Sequence, residues 1–581
     1  MPLHNADIAA IFDEIADLLE IRDDNPFRVR AYRNAARTVG GYGREFKTLI
    51  DSGAAPPKLP GIGADLSAKI DEIVTTGHCA MLDGLRKQMP PDITELLKVP
   101  GLGPKRVQAL NRELGVSTIA QLDAAAHAGQ IHDIPGFGIK SEQQIQQALD
   151  ALAAQAGQSA RFKRPLAAQY AQALVDYLKR VPGVDQVVVA GSYRRMKETV
   201  GDLDILVTAA ADSALMARFI AYDEVKTVLA HGETRSSVVL HNGLQVDLRL
   251  VPADSYGAAL HYFTGSKAHN IAIRRIAQEL GLKINEYGVF RGAQRIAGDT
   301  EESVFAAVGL PFIVPELRED RGEIQAARAG RLPRLITRAD LRGDLHVHTR
   351  ASDGHNTIQE MARAAQAQGL EYIAITDHSR RLTITHGLDP QQLLRQIDEI
   401  DRINAGSAGI TILKGIEVDI LEDGALDLPD SVLQHLDVVI AAVHSKLDLP
   451  RQRQTERLLR ALDQRYVNIL AHPTNRLLGA RGPSEIDMLR IMRKAKSRDI
   501  ALELDAQPER LDLDDALCLM ARDEGVLVAI DSDAHGSADF ANLDYGIGQA
   551  RRGWLERENV LNTSDLKTLL ARLHAGRDAT P

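Results

Sequence analysis

Beyond Gly343 the chain alternates strand-like and helical segments, and this regularity leaves few folds open to it. Seven strand-like stretches begin at DLHVH, YIAIT, ITILKGIEV, VVIAAV, NILA, IALEL and VLVAI, with helical stretches between them. Such alternation predicts a parallel β/α sheet or barrel. The chemistry-bearing residues share one place in this pattern. Ten of the eighteen histidines lie beyond residue 340, and six sit at or just past a strand end: His346, His348, His378, His444, His472 and His535. Asp353, Glu417 and Asp533 accompany them. In a β/α barrel these strand ends converge on one face. Nine N/O ligands exceed the needs of one ion at about four to six apiece, so two or three ions are expected. With no thiolate in the set, Zn²⁺, Mn²⁺ or Fe²⁺ is the natural guest. Carboxylates can bridge two ions and hold a hydroxide suited to phosphate-ester hydrolysis. His355, His386 and His435 fall outside the pattern and are expected on the surface.

The preceding chain has two other textures. Residues 1–160 read as short helices split by Gly/Pro turns, with apolar residues at helical spacing in DIAAIFDEIADLLEI. Near residue 184 the pattern changes to β-branched, turn-bounded strands: VDQVVVAGS, GDLDILV and GLQVDLRLV. From about 311 to 342 a Pro- and Arg-rich stretch without apolar period reads as a connector.

In the central strands, Asp202 and Asp204 alternate and therefore share a face. Asp247, on a neighbouring strand, can complete a three-carboxylate cluster. Crowded carboxylates are usually neutralised by divalent cations, here Mg²⁺ or Mn²⁺, and two such ions can activate a hydroxyl and stabilise a leaving pyrophosphate. Gly191 and Ser192 begin a turn whose amide and hydroxyl can hold triphosphate oxygens, with Arg195 adding charge. Near the N-terminus, LPGIGADLSAKI (59–70), VPGLGPKRVQAL (99–110) and IPGFGIKSEQQI (134–145) repeat an apolar-Pro-Gly-apolar-Gly core. Their glycines, Gly61, Gly63, Gly101, Gly103, Gly136 and Gly138, allow tight turns that expose amides near a helix start. Such turns bind a backbone phosphate without reading bases.

Charge and composition set limits. The net charge of −10 argues against a nucleic-acid partner at first sight, but residues 1–340 carry 40 basic and 41 acidic residues, so the acidity belongs to the rest. Within 151–200 the balance is eight basic to three acidic. Two cysteines exclude a disulfide framework and a cysteine-rich zinc module. The acidic, amphipathic N-terminus is not a signal peptide, and the longest apolar runs are far too short to span a membrane. A reduced, cytoplasmic, nucleoid-associated location is expected.

The run GSYRR…GDLDILV…VDLRLV…YFTGS…INEYG resembles family X DNA polymerases, of the DNA polymerase beta type, over roughly residues 1–316. The three glycine turns resemble helix-hairpin-helix motifs. Residues 341–581 resemble the PHP (polymerase and histidinol phosphatase) domain, with all nine positions of its ligand pattern filled. The resemblance implies a multidomain α+β and α/β chain. It comprises a helical 8-kDa-like DNA-binding domain (1–85), a helical fingers-like domain (86–160), a nucleotidyltransferase palm (161–260) and a small thumb that binds the nascent pair (261–316). A linker (317–342) and a distorted (βα)7 PHP barrel (343–581) follow.

It further implies that Asp202 and Asp204 bind both polymerase metals, and that Asp247 binds the catalytic metal and activates the primer 3′-OH. Ser192, Arg195 and Gly201 match triphosphate-holding positions. Tyr262, Phe263 and Gly265 match the sugar-side wall, and Asn270 and Arg274 the minor-groove side of the nascent pair. Gln245 stands where animal members have Arg. Lys69 aligns with the family's Schiff-base lysine, with Arg28 and Tyr32 at neighbouring positions, but Asp65 replaces a phosphate-binding Lys and would repel a 5′-phosphate. A surface lysine on a DNA-binding helix is the plainer reading.

The expected function is a gap-filling repair polymerase joined to a 3′→5′ exonuclease that trims or unblocks 3′ ends, with incision at abasic sites a further activity. Its partners are gapped, primer-template and 3′-recessed DNA and dNTPs, and it acts as a monomer without a membrane. Two alternatives stay open: a small-molecule phosphatase of histidinol-phosphate type in the C-terminal part, and a non-catalytic DNA-binding scaffold.

Overall fold

The computed structural model describes residues 5–40, 46, 50, 61–90, 92–99, 101–155, 161–210, 212–381, 385–406 and 409–575. Leu59, Pro60 and Pro100 of the glycine motifs lie outside the described residues. The chain divides into two compact units, residues 1–160 and 161–581.

Among the described residues the first unit is wholly helical. In the helix Asn5–Ile21, Ile8, Phe12, Ile15 and Leu19 recur at helical spacing and are fully buried. The helix Pro26–Gly40 answers with Val29, Tyr32, Ala36 and Val39, Tyr32 standing edge-on to Phe12 at 5.8 Å. Each buried Val, Leu, Ile or Phe side chain contributes roughly 1.5–3 kcal/mol.

The second unit begins with a five-stranded sheet. Its strands are β1 (Val184–Val189), β2 (Asp202–Ala209), β3 (Val225–His231), β4 (Arg235–Leu240) and β5 (Gln245–Leu250), in the order β1-β2-β5-β4-β3. Only the β2–β5 pair is parallel. Strand periodicity sorts the side chains. Leu203, Ile205 and Val207 of β2, with Val246 and Leu248 of β5, enter the core with Leu174 and Leu178 of the helix Arg164–Lys179. The alternate residues of both strands then share the opposite face.

Next comes a small domain with the helices Tyr256–Thr264, Lys267–Glu279 and Glu301–Ala307. Its antiparallel sheet is β6 (Lys283–Asn285), β7 (Gly288–Arg291) and β8 (Gln294–Ala297). The segment 317–342, expected as a linker, is built into this domain. Leu317, Ile324, Ala327 and Leu335 join its core beside Phe305 and Trp554, and Arg318 is fully buried with Nη1 2.5 Å from Glu301 Oε1. Leu317 sits on one short helical turn, Ile324 and Ala327 on another and Leu335 on irregular chain, which leaves no periodic signature.

The seven expected C-terminal strands all form: β9 (Gly343–Val347), β10 (Tyr372–Ile375), β11 (Thr411–Asp419), β12 (Val438–Ala442), β13 (Ile469–Leu470), β14 (Ala501–Asp505) and β15 (Val528–Asp531). They run parallel in chain order. A parallel bridge between Val347 and Ala534, with His348 N donating to Ala534 O at 2.8 Å, brings the last strand's end to the first and nearly closes the barrel. His355, His386 and His435 are exposed, as expected. Cys79 and Cys518 are free and buried. Among the described residues, no helix is long and apolar enough to cross a membrane.

Candidate active sites

The parallel register sets Asp204 directly opposite Asp247 and Asp202 opposite Gln245. All three aspartates thus share the face that the core residues leave. Burial, then repulsion from Asp202 and Asp247, raises the Asp204 carboxyl to about 7. Burial, then Asp247, also raises Asp202. A site that penalises its own carboxylates in this way fits divalent cations. Asp247 is held by neighbours that sequence reading did not assign: Ser237 Oγ donates to it, Gln245 Nε2 donates at 3.0 Å, and Arg235 Nη2 lies 3.4 Å away. Gln245 therefore supplies a neutral donor where animal members carry Arg.

Gly191 has φ +60°, and a Cβ there would stand 2.5 Å from Asp204 Oδ2. Only glycine lets the backbone of this turn approach the carboxylate so closely. The turn opens the helical segment Gly191–Arg194, with Ser192 half-buried and Gly201 at the start of β2. Arg195 is not free: Nε donates to Glu319 Oε1 at 2.9 Å and Nη1 to Thr264 O at 2.8 Å.

Tyr262, Phe263, Gly265, Asn270 and Arg274 come together as one cluster. The rings of Tyr262 and Phe263 meet edge-on at 5.0 Å. Asn270 Nδ2 donates to Tyr262 O at 2.6 Å, and Arg274 Nε to Asn270 O at 3.3 Å. A Cβ at Gly265 would meet Asn270 Oδ1 at 2.5 Å.

The nine barrel residues also converge. His346, Glu417, His444, His472, Asp533 and His535 lie in or up to four residues beyond β9, β11, β12, β13 and β15; His348 and Asp353 follow β9, and His378 follows β10. Three ligand groups emerge: His348, Asp353, His378 and His535; His346, His348 and Asp533; His378, Glu417 and His444. His348 and His378 each belong to two groups. His472 joins through Nε2, 3.0 Å from Glu417 Oε1. His346 Nε2 and His348 Nδ1 are buried without hydrogen-bond partners, while His378 Nδ1 stands 2.6 Å from Glu417 Oε2 and His348 Nε2 3.0 Å from Asp533 Oδ1. Buried polar atoms left unpaired in this density are costly, so the set fits cations.

The electrostatics are those of ligands awaiting a charge. Burial opposes protonation of His378 and His535, yet Glu417 and Asp353 raise His378 to about 10, and Asp533 and Asp353 raise His535 to about 9. Burial, with His535 and His378, lowers His348 to about 4. Asp353, Glu417 and Asp533 are held below the usual carboxylate range by the surrounding imidazoles, against the effect of burial.

A supporting layer escaped sequence reading. Glu503 Oε1 lies 2.6 Å from His346 Nδ1, and its Oε2 accepts from His472 N at 2.7 Å. Asp419 Oδ1 lies 3.2 Å from His444 Nδ1. Asp377 accepts from Thr349 N, Thr349 Oγ1, Ser352 Oγ and Gln396 Nε2, which fixes the loop that carries Asp353. Such partners fix ring orientation and tautomer. Period 2 was the available signal: Asp419 follows Glu417 by two on β11, and Glu503 lies on β14, the sixth of the seven expected strands and the one that carried no ligand of its own.

In the first unit, Gly61, Gly101 and Gly136 have φ of 74°, 90° and 92°. Gly63 and Gly103 cap the helices Ala64–Thr76 and Pro104–Leu114, and Gly138 precedes Ile139–Gln155. No atom lies within 4 Å of a Cβ built at any of the six, so conformation and open approach to the backbone explain them, not crowding. Lys69 Nζ pairs with Asp65 Oδ1 at 2.6 Å. Burial opposes its charge, but Asp65 and Tyr32 outweigh this and raise its pKa. That is the reverse of what an amine nucleophile needs.

A three-carboxylate face beside a glycine turn, joined to a histidine–carboxylate cluster at a barrel mouth, defines a nucleotidyltransferase coupled to a metal-dependent phosphoesterase. The comparisons agree. Residues 163–262 match the DNA polymerase beta palm, 259–319 the DNA polymerase beta thumb and 344–505 the PHP domain. Residues 3–79 match a helix-hairpin-helix domain and 93–151 a SAM-like helix-hairpin-helix tandem. The chain is 38% identical over 576 residues to the DNA polymerase/3'-5' exonuclease PolX of Bacillus subtilis (strain 168), covering 98% of this chain and 99% of that protein. It belongs to the family X DNA polymerases that carry a C-terminal PHP domain. A probable phosphatase of Thermoanaerobacter sp. (strain X514) is 32% identical over 230 residues, 38% of this chain and 89% of that protein. One of Vibrio parahaemolyticus is 30% identical over 259 residues, 42% of this chain and 97% of that protein.

Proposed function

We propose that the chain fills short gaps in DNA during repair and edits or unblocks 3′ ends with its barrel. The observation that carries this is the presence of both clusters, three palm aspartates and nine barrel ligands, in one compact unit. Divalent cations held there, Mg²⁺ or Mn²⁺ at the palm and two or three of Mn²⁺, Zn²⁺ or Fe²⁺ at the barrel, would acidify the attacking hydroxyl or water and offset charge at phosphorus.

The chain's own residues supply the rest. Asp202, Asp204 and Asp247 hold the palm ions, and Asp247 takes the primer 3′-OH proton while Ser237 and Gln245 fix its carboxylate. The amide and hydroxyl of the Gly191–Ser192 turn, Gly201 and Arg195 receive the dNTP triphosphate. Tyr262, Phe263 and Gly265 wall off the sugar, leaving no room for a 2′-hydroxyl. Asn270 and Arg274 check pair geometry from the minor groove. The glycine turns hold backbone phosphates of gapped, primer-template or recessed DNA. In the barrel, Glu503, Asp419 and Asp377 orient the ligating side chains around a scissile phosphodiester. The domain boundaries given above, with 317–342 joined to the thumb, a monomeric state, a nucleoid-associated cytoplasmic setting and incision at abasic sites belong to the same reading. Schiff-base chemistry at Lys69 does not, because Asp65 keeps the amine charged.

The test is a 5′-labelled gapped duplex incubated with Mn²⁺, with and without dNTPs. Asp202→Ala removes extension and leaves digestion; His346→Ala does the reverse. Loss of both activities in Asp202→Ala would overturn the two-site reading. A phosphatase reading of the barrel has the shorter relatives in its favour, and it requires faster hydrolysis of histidinol phosphate than of a 3′-recessed duplex.

A further inference from the structure

The loop Arg195–Glu198 leaves the proposed triphosphate turn and is gripped by the barrel. Arg552, at the end of the helix Leu543–Arg552 and almost fully buried, donates from Nη1 to Arg195 O at 2.7 Å. The same nitrogen lies 3.0 Å from Glu319 Oε1, and Nη2 is 2.5 Å from Asp515 Oδ2. Glu198, at the other end of the loop, receives Arg476 Nη2 at 2.7 Å and Gln549 Nε2 at 3.2 Å. Met196 between them has φ +58° and presses on Gly548, where a Cβ would stand 2.6 Å from Met196 Cε. Two independent polar contacts therefore fix the loop's path, a main-chain hydrogen bond and an ion pair, with Met196 packed on Gly548 between them.

Arg552 also reaches the chemistry of Arg195. Glu319 occupies the Arg195 guanidinium, with Lys197 Nζ 3.7 Å away. Burial favours the neutral acid, but Arg195 and Arg552 together hold the Glu319 carboxyl below its ordinary range. A triphosphate must compete with Glu319 for Arg195. Arg552 shares that carboxylate and weakens its hold.

We propose that Arg552 is a positioning residue for nucleotide binding, through which the PHP barrel sets the triphosphate-binding loop of the polymerase site. The inference rests on the assignment of the Gly191–Ser192 turn and Arg195 to the triphosphate. Without Arg552 the loop loses its main-chain anchor and Glu319 turns wholly onto Arg195, both of which weaken dNTP binding. One lost charge-assisted hydrogen bond corresponds to a rise in KM of about tenfold.

The experiment is single-nucleotide insertion by the full chain carrying Arg552→Ala, Arg552→Lys, Glu198→Ala or Ser192→Ala, with 3′→5′ digestion measured alongside. Arg552→Ala is expected to raise dNTP KM about tenfold with kcat changed less than threefold and digestion within twofold of the parent. Arg552→Lys should recover part of the KM. Glu198→Ala, which breaks the loop's second anchor on Arg476 and Gln549, should raise KM as well. Retained digestion shows that each barrel is folded; if Arg552→Ala abolishes it, the KM effects of Glu198→Ala and Arg552→Lys decide. If Ser192→Ala raises KM and those two variants and any folded Arg552→Ala do not, the barrel's role is overturned while the triphosphate site stands. If Ser192→Ala leaves KM unchanged, the site assignment falls and the inference falls with it.

Discussion

Asp204 and Asp247 face each other across the parallel β2–β5 pair, in register, on the face opposite the hydrophobic core. Burial, then the charges of Asp202 and Asp247, raises Asp204 to about 7. A raised carboxylate stabilises the metal-free fold below its unfolded pKa of about 4, and that contribution is lost as pH rises through 7. Metal-free protein should therefore lose thermal stability between about pH 4 and 7, and Asp204→Asn should flatten that slope. Scanning calorimetry in EDTA at several pH values checks it; equal slopes would remove Asp204 as the cause.

Metal entry at the palm displaces the same proton. The Mg²⁺ concentration giving half-maximal extension should fall about tenfold per pH unit below 7 and level off above it. Asp204→Asn should lower extension by at least ~10²-fold, with digestion unaffected.

Glu503 stands 2.6 Å from His346 and also accepts the His472 amide. Glu503→Gln should reduce barrel metal affinity and digestion by roughly 10–100-fold while extension continues. Metal content after gel filtration, read beside both activities, distinguishes this from unfolding.

In the metal-free barrel His378 and His535 are protonated at neutral pH, with pKa values of about 10 and 9. Ligation needs neutral imidazole, so loading must release protons and strengthen as pH rises. Calorimetric titration of Mn²⁺ at pH 7.5 in buffers of different ionisation enthalpy should show net proton release. Absence of any buffer dependence would refute this charge state.

Lys69 is held charged by Asp65. Borohydride should trap no covalent adduct between the wild-type chain and a 5′-deoxyribose-phosphate end at pH 7.5; trapping that Lys69→Ala abolishes would show the opposite.

Element types and ligand identities were open to reading from sequence because they depend on local periodicity. All seven barrel strands and the nine converging side chains follow from alternation and strand-end position, and the shared face of Asp202 and Asp204 from DxD parity. Gly61, Gly101 and Gly136 were legible for a similar reason, since a positive φ leaves its mark on residue type. The connector was not. Leu317, Ile324 and Leu335 enter the thumb core one or two at a time, a pattern without period.

Likewise, nothing local marks Glu503 as the partner of His346 or Glu319 as the occupant of Arg195. The first pair is 157 residues apart and the second 124, so their meeting depends on barrel closure and on the packing of thumb against palm. The same holds for Arg552 and Arg195, separated by 357 residues. Chain-local rules of pleat, turn and spacing determined which chemistries this protein carries. Burial and long-range register, which change the dielectric and charge around each group, decided how those chemistries are tuned and joined.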